Sequence, residues 1–325
     1  MLELESILKP VSAEIELAKE RLSKAMPSEK KLVKLSAAVG HVLGKQGKCL
    51  RPALVLLSCG LCGEDPAQAV EYAAVMELIH IGSLVLDDLL DGSELRRGRK
   101  TINARWGEQT ALLAGTHLLL EVASRIALDI EPARKLLIRT LDTMFQGEAL
   151  QFQCQGDFKL GEDTYMEIIS GKSASLMSSC CGMGAIAAGD GTRQQLMSDF
   201  GLEMGIAFQI RDDILDLVAS RGKLGKELGS DLRDARMTLP LIHCARVSTA
   251  KERRLLKSVF GSNNGRKIDV KRVEELVRSS DSIAYSMKIA DKFAEKALSR
   301  LEGFEDSEYR DALAALCRFA VERDY

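Results

Sequence analysis

Proline is scarce, six residues in 325, and the long intervals separating Pro66, Pro132 and Pro240 leave room for long uninterrupted helices. No Pro/Gly/Ser-rich tract, low-complexity block or repeat marks a linker. Length alone would admit about two domains, yet nothing divides this chain. The charges nearly cancel, 45 Lys and Arg against 47 Asp and Glu, so no general attraction to nucleic acid or to a lipid surface is expected. Eight cysteines show no disulfide framework. Cys59-Gly-Leu-Cys62 is a lone CxxC without the third and fourth ligands of a structural zinc site. The N-terminal MLELESILKPVSAEIELAKE is acidic and amphipathic, unlike a signal peptide. The least charged stretch, 173–189, is barely long enough to span a bilayer and reads as a buried helix, so no transmembrane segment is expected. A cytoplasmic location follows as the expectation. GxxxxGK[ST] and GxGxxG are missing, so nucleotide binding is unsupported, and no Ser/His/Asp or Cys/His set suggests nucleophilic catalysis.

What is present favours helices. Ala, Leu, Glu, Lys, Arg and Met dominate a chain that is 46% hydrophobic and 5% aromatic. The expectation is one all-α domain over 1–325, a large helical bundle around a central cavity. Helical patterns run over 1–26, 29–43, 53–62, 66–90, 109–128 and 133–155. Thr164 with Glu167 reads as a capping box for the next helix, and a long helix starts near Thr192. Residues 92–107 read as a charged loop. The stretch 241–325 reads as helical, with a loop at 261–265, a cap near Asp306 and no evident chemistry.

Chemistry concentrates in HIGSLVLDDLLDGSELRRG, His80 to Gly98. An apolar run enters Asp87 and Asp88, and Asp91 follows. Positions i and i+4 share a helix face, so Asp87 and Asp91 point the same way. Two carboxylates ending an apolar face repel and resist burial unless a positive charge lies between them. A hard divalent cation such as Mg2+ meets that need, keeping waters and completing its shell with substrate phosphates. Arg96 and Arg97 suit a phosphate-bearing group. A single DDxxD is as often a solvated face. A second copy, FQIRDDILD, places Asp212, Asp213 and Asp216 on another apolar helix, and two helices facing across a bundle could share a metal cluster. Basic residues flank both: Lys48 and Arg51 in a Gly-containing turn, Lys172 at the edge of the uncharged run, and Lys223, Lys226, Arg233 and Arg236 after the second motif. The pattern suits a substrate with a diphosphate head and a hydrocarbon tail, with charge stabilisation at the leaving group as the main catalytic contribution.

These motifs resemble the trans-isoprenyl diphosphate synthases, the head-to-tail elongators of polyprenyl chains. ELIH…LVLDDLLD…LRRG resembles the family's first aspartate-rich region and FQIRDDILD…LGKELGSDL the second. GKCLRP is similar to GGKRLRP and GKSA to GKTA. The resemblance covers essentially the whole chain from Gly47 onward. It implies that Asp87, Asp91 and Asp212 hold magnesium, about three ions per substrate-loaded site, with Asp88, Asp213 and Asp216 in support. It implies that Arg96, Lys172, Ser173, Gln209 and Lys226 contact an allylic diphosphate (dimethylallyl, geranyl or farnesyl), and that Lys48, Arg51, His80 and Arg97 hold isopentenyl diphosphate. The implied reaction is ionisation, condensation and elimination, on an all-helical fold that is usually a homodimer.

Departures stand out. Gln46 and Cys49 replace a glycine and an arginine, so Cys49 removes a cation from the isopentenyl end. Ala235-Arg236 replaces Gly-Lys, and His117 stands where relatives carry Asp. Gly82, one and a half turns before Asp87, and its neighbour Ser83 are small where bulky side chains stop growth in the family. A product of C20 or longer is therefore expected, with Phe145 as a candidate floor. Two alternatives carry weight. A terpene cyclase would have no use for Lys48, Arg51 and Arg97, and a non-catalytic partner subunit would lack the intact aspartates.

Overall fold

A computed structural model describes residues 4–44, 47–126, 130–218, 229–260 and 270–322. Nearly everything described is helical. The N-terminal portion holds α1 (Leu4–Leu8), α2 (Ser12–Ser23), α3 (Val33–Leu43), α4 (Leu50–Leu61) and α5 (Val70–Leu90). A short hairpin, β1 (Leu95–Arg96) against β2 (Arg99–Lys100), precedes α6 (Ile102–Trp106), α7 (Glu108–Ile126) and α8 (Glu131–Cys154). Next come α9 (Glu162–Ile169), one π-helical turn (Ser170–Ala174), α10 (Ser175–Ala187) and α11 (Gln194–Val218). The C-terminal portion holds α12 (Ser230–Arg233), α13 (Leu239–Val247), α14 (Ala250–Phe260), α15 (Val270–Ser279), α16 (Ser282–Arg300) and α17 (Glu308–Glu322).

The expected all-α bundle is what forms, and α5 lies near its centre. The α5 helix is apolar on almost every side. Val75, Met76, Leu78, Ile79, Ile81 and Val85 are all buried, as expected of a core helix rather than a surface one. It packs on α2, α4 and α7, while α11 packs on α10 and α16. Its start is set by the Asp65 carboxylate, which accepts the Ala67 amide, and by Pro66 in the first turn. With that lead-in turn, 66–90 is the one described helix long and apolar enough to cross a membrane. However, 67% of its apolar window is buried inside the bundle.

Several local expectations need correction. The charged loop after Gly92 contains the hairpin and α6, because Thr101 caps α6 by accepting the Ala104 amide and also donates to the Ser93 carbonyl. Thr164 lies inside α9, whose N-cap is Gly161 without a side-chain bond, so no capping box forms. The helix expected from 53 begins at Leu50, with Cys49 at φ 51 as its N-cap. The cap expected near Asp306 does form, at Ser307, which accepts the Arg310 amide. His117 now has a reason: its Nε2 bonds the Ala25 carbonyl at 2.9 Å, tying α7 to the end of the α2 segment. The Cys59 thiol bonds the Asp65 carbonyl, and burial pushes Cys59 up to about 12 and Cys62 up to about 11. Neither is a ready nucleophile or metal ligand.

Candidate active site

A cavity of about 980 Å³ runs through the bundle between α5, α8, α10 and α11. Such a volume is at the upper end of small-ligand pockets. The helical spacing does what the sequence predicts for the first acidic motif. Asp87 and Asp91 line the cavity, whereas Asp88 is turned toward a smaller side cavity. There Arg96 Nε lies 2.8 Å from both Asp88 oxygens, so Asp88 has the supporting position and Arg96 is engaged with it. Burial pushes Asp87 up to about 6, against the pull of Lys172. Asp91 receives Arg236 at 2.5 Å.

The second motif mirrors the first from α11. Asp212, Asp213 and Asp216 all border the cavity. Asp213 accepts the Tyr165 hydroxyl at 2.7 Å and Gln209 Nε2 at 2.8 Å. Burial still raises it above the ordinary carboxylate range despite both bonds. Asp216 accepts from Ser230 N, Ser230 Oγ and Asp231 N, which fastens the start of α12 to the motif. Gln209, expected on the allylic diphosphate, is thus bonded to Asp213. Lys226 lies outside the described residues.

The cations expected for isopentenyl diphosphate gather at the α4 end of the cavity. Lys48, Arg51, His80 and Arg97 all line it. Arg97 sits at φ 51, a left-handed conformation that costs a non-glycine residue strain and is typical of functional loops. Its guanidinium lies over Gly47, where a Cβ would come within 2.2 Å of Nη1, so any side chain there would displace the Arg97 guanidinium. Lys48 Nζ sits 5.4 Å from the Phe319 ring centre. Arg51 Nε and Glu77 Oε2 are both buried without a hydrogen-bond partner. Burial, and then the charge of Arg51, hold His80 well below its ordinary value, so the imidazole is neutral at pH 7. Cys49 also lines this end, its thiol pushed up to about 11 mainly by burial.

Lys172 and Ser173 reach the cavity from the π-helical turn, a distortion common at functional sites. Ser83 and Phe145 line the apolar part. Gly82 does not; it faces Leu118 and Leu119 of α7 at ordinary contact distance. Sequence reasoning missed Glu77, Glu148, Tyr165 and Phe319. Phe319 also shows that α17, read as packing alone, contributes to the site. A lone glutamate, tyrosine or phenylalanine on a helix carries no signal until the fold shows what it faces.

The donor set suits a hard cation. Among the described residues no three His, Cys, Asp or Glu side chains converge closely enough to hold a metal by themselves. The carboxylates of Asp87 and Asp91 from the α5 end and Asp212 from α11, all lining one cavity, match the Mg2+ habit of taking one or two carboxylates and completing its shell with phosphate and water.

The fold and the site define a helical enzyme class built around paired aspartate motifs. Residues 33–277 match the polyprenyl synthetase family, and the chain belongs to it. It is a trans-prenyltransferase. It is 34% identical over its whole length to a short chain isoprenyl diphosphate synthase of Methanothermobacter thermautotrophicus, covering all of both chains. It is also 34% identical to an all-trans-nonaprenyl-diphosphate synthase (geranyl-diphosphate specific) of Rhodobacter capsulatus, over 98% of each chain. The fold matches a polyprenyl synthase of Caulobacter crescentus crystallised with calcium and isoprenyl diphosphate, with a TM-score of 0.93, 30% identity, and coverage of 99% and 98%.

Proposed function

We propose that the chain joins isopentenyl diphosphate to an allylic diphosphate and releases a linear trans-polyprenyl diphosphate of C20 or longer. One observation carries this reading: a single cavity holds two facing aspartate motifs, a separate cluster of Lys48, Arg51, His80 and Arg97, and an apolar extension. A cyclase would have no use for the cluster of Lys48, Arg51 and Arg97. The aspartates are intact, which speaks against a non-catalytic subunit. Residues from Gly47 to Phe319 line that one cavity, which supports one domain over 1–325.

Asp87, Asp91 and Asp212 would hold Mg2+, which when bound neutralises the diphosphate and makes it a better leaving group. Lys172, Ser173 and Arg96 orient the allylic diphosphate, with Gln209 and Asp213 fixed behind them. The allylic C–O bond breaks, and its electron pair leaves with the diphosphate. The Arg51, Arg97 and Lys48 cluster holds isopentenyl diphosphate so that its double bond faces the resulting cation. His80, being neutral, adds a hydrogen-bonding imidazole there without another charge. The new C–C bond takes the double-bond electrons. A proton then leaves the isopentenyl C2 for the departing diphosphate, and its C–H electrons form the new double bond. Apolar walls exclude water that would otherwise trap the cation.

We infer a cytoplasmic homodimer assembled through α7 and α8. Ile138, Phe145 and Phe152 repeat every seven residues on α8, and all three are exposed. Leu113 and Leu120 repeat likewise on α7. A product assay with labelled isopentenyl diphosphate, Mg2+ and each allylic primer tests the activity, with linear prenols of C20 or longer expected after phosphatase treatment. Cyclic hydrocarbons from the primer alone would overturn it. Light scattering tests the assembly, and an active monomer would refute the dimer.

A further inference from the structure

Lys172 Nζ lies between two carboxylates. Glu148 Oε2 is 2.5 Å away and Asp87 Oδ1 is 3.9 Å away. All three side chains border the cavity and are about four-fifths buried, with exposures of 18%, 22% and 20%. This arrangement is built by the backbone. The π-helical turn Ser170–Ala174 inserts Lys172 toward α8. The α8 helix approaches so closely at Gly147 that a Cβ there would come within 2.3 Å of the Lys172 amide nitrogen. Glu148, the next residue, meets the lysine at its terminal ammonium.

Asp87 is the first aspartate of the metal-binding motif in the function proposed above, and this inference rests on that reading. An ammonium 3.9 Å from Asp87 competes for the oxygen a metal would take. Were Glu148 neutral, Asp87 would be the nearest carboxylate left to Lys172, and a small rotamer change would close the pair. An ammonium has three donors. One given to Glu148 leaves two for the substrate diphosphate. We propose that Glu148 is a positioning residue that holds Lys172 off Asp87 and so keeps Asp87 open to metal.

The test reads Mn2+ binding to the purified protein directly, from the free-ion electron paramagnetic resonance signal, with no diphosphate present. Glu148→Gln keeps the shape and removes the charge. It is expected to weaken Mn2+ binding about tenfold, the low end of what outer partners of metal ligands contribute. Adding Lys172→Met to Glu148→Gln removes the competitor and is expected to restore Mn2+ binding while leaving prenyltransfer impaired. A merely structural role for Glu148 would leave the double variant as weak as the single one, and that result overturns the inference. So does a Glu148→Gln protein that binds Mn2+ like the wild type. Asp87→Asn separates the two readings. If it leaves wild-type Mn2+ binding intact, the metal role of Asp87 falls and this inference falls with it. If it abolishes binding that Glu148→Gln does not touch, only this inference falls.

Discussion

Arg236 reaches Asp91 across 145 residues of sequence and joins the segment after the second aspartate motif to the end of the first. Asp231 and Asp234 also lie within 3.8 Å of the same guanidinium. Arg236 thus partly neutralises a carboxylate that the proposed reaction assigns to magnesium. Both side chains are about one-fifth exposed, so the pair is worth less than a fully buried one.

Arg236→Gln is therefore expected to destabilise the metal-free protein by about 1–3 kcal/mol, below the cost of breaking a fully buried pair. Mg2+ with inorganic diphosphate should then raise the melting temperature of the variant more than that of the wild type. Differential scanning calorimetry with and without the ligands measures both, and an unchanged ligand shift would contradict the idea.

Ser83 faces the cavity and Gly82 faces α7. Ser83→Phe is expected to shorten the main product by at least one isoprene unit with little loss of stability. Gly82→Phe would push on Leu119, which does line the cavity. It should shorten the product only at a cost of about 1–3 kcal/mol for overpacking the helix crossing. Product chromatography and thermal melts distinguish them, and unchanged product length in both variants would remove these positions from the length-setting wall.

Asp87 is pushed up to about 6 and Asp213 is also raised. A carboxylate raised by folding binds its proton more tightly folded than unfolded. Its contribution to stability is thus greatest at low pH and declines as pH rises through the folded value. For these two groups the decline should be largely complete by about pH 8. Mg2+ with diphosphate requires the ionised forms, so its stabilising effect should be larger at pH 8 than at pH 5. Equal thermal shifts at both values would show that neither carboxylate is coupled to ligand binding.

Ala235 occupies φ 50, where glycine is unstrained and alanine is not. Ala235→Gly trades that strain against greater freedom of the unfolded chain. A net gain of about 0.5 kcal/mol is expected, because the left-handed penalty exceeds the entropy difference. Urea titration at constant m measures it. A loss of stability would mean that the Ala235 methyl contributes packing that outweighs the strain.

Short-range chemistry was legible before the fold was known. The i, i+4 relation placed Asp87 and Asp91 on the cavity and allowed Asp88 to turn away, and it likewise placed Asp212 and Asp216 on the cavity, although there Asp213 lines it too. Relations that depend on where helices cross were not. Nothing local pairs Tyr165 with Asp213, Glu148 with Lys172 or Lys48 with Phe319, since the two partners of each pair come from segments far apart in sequence. The π-helical turn that aims Lys172 was also invisible, because SGKSA has no signature separating it from an ordinary helix. Gly82 was misplaced for a related reason: helical spacing relates residues on one helix but does not say which neighbour each face meets.

Phe145 is 72% exposed and yet lines the cavity, as do half-exposed Leu112 and Leu90. One side chain therefore belongs at once to the outer stripe of α8 and to the chamber where the tail grows. With α8 as the dimer face proposed above, selection for a different product at this position would alter association, and selection for tighter association would alter the product. The two traits are inherited together through one ring, so variants of this enzyme are expected to change them in concert rather than one at a time.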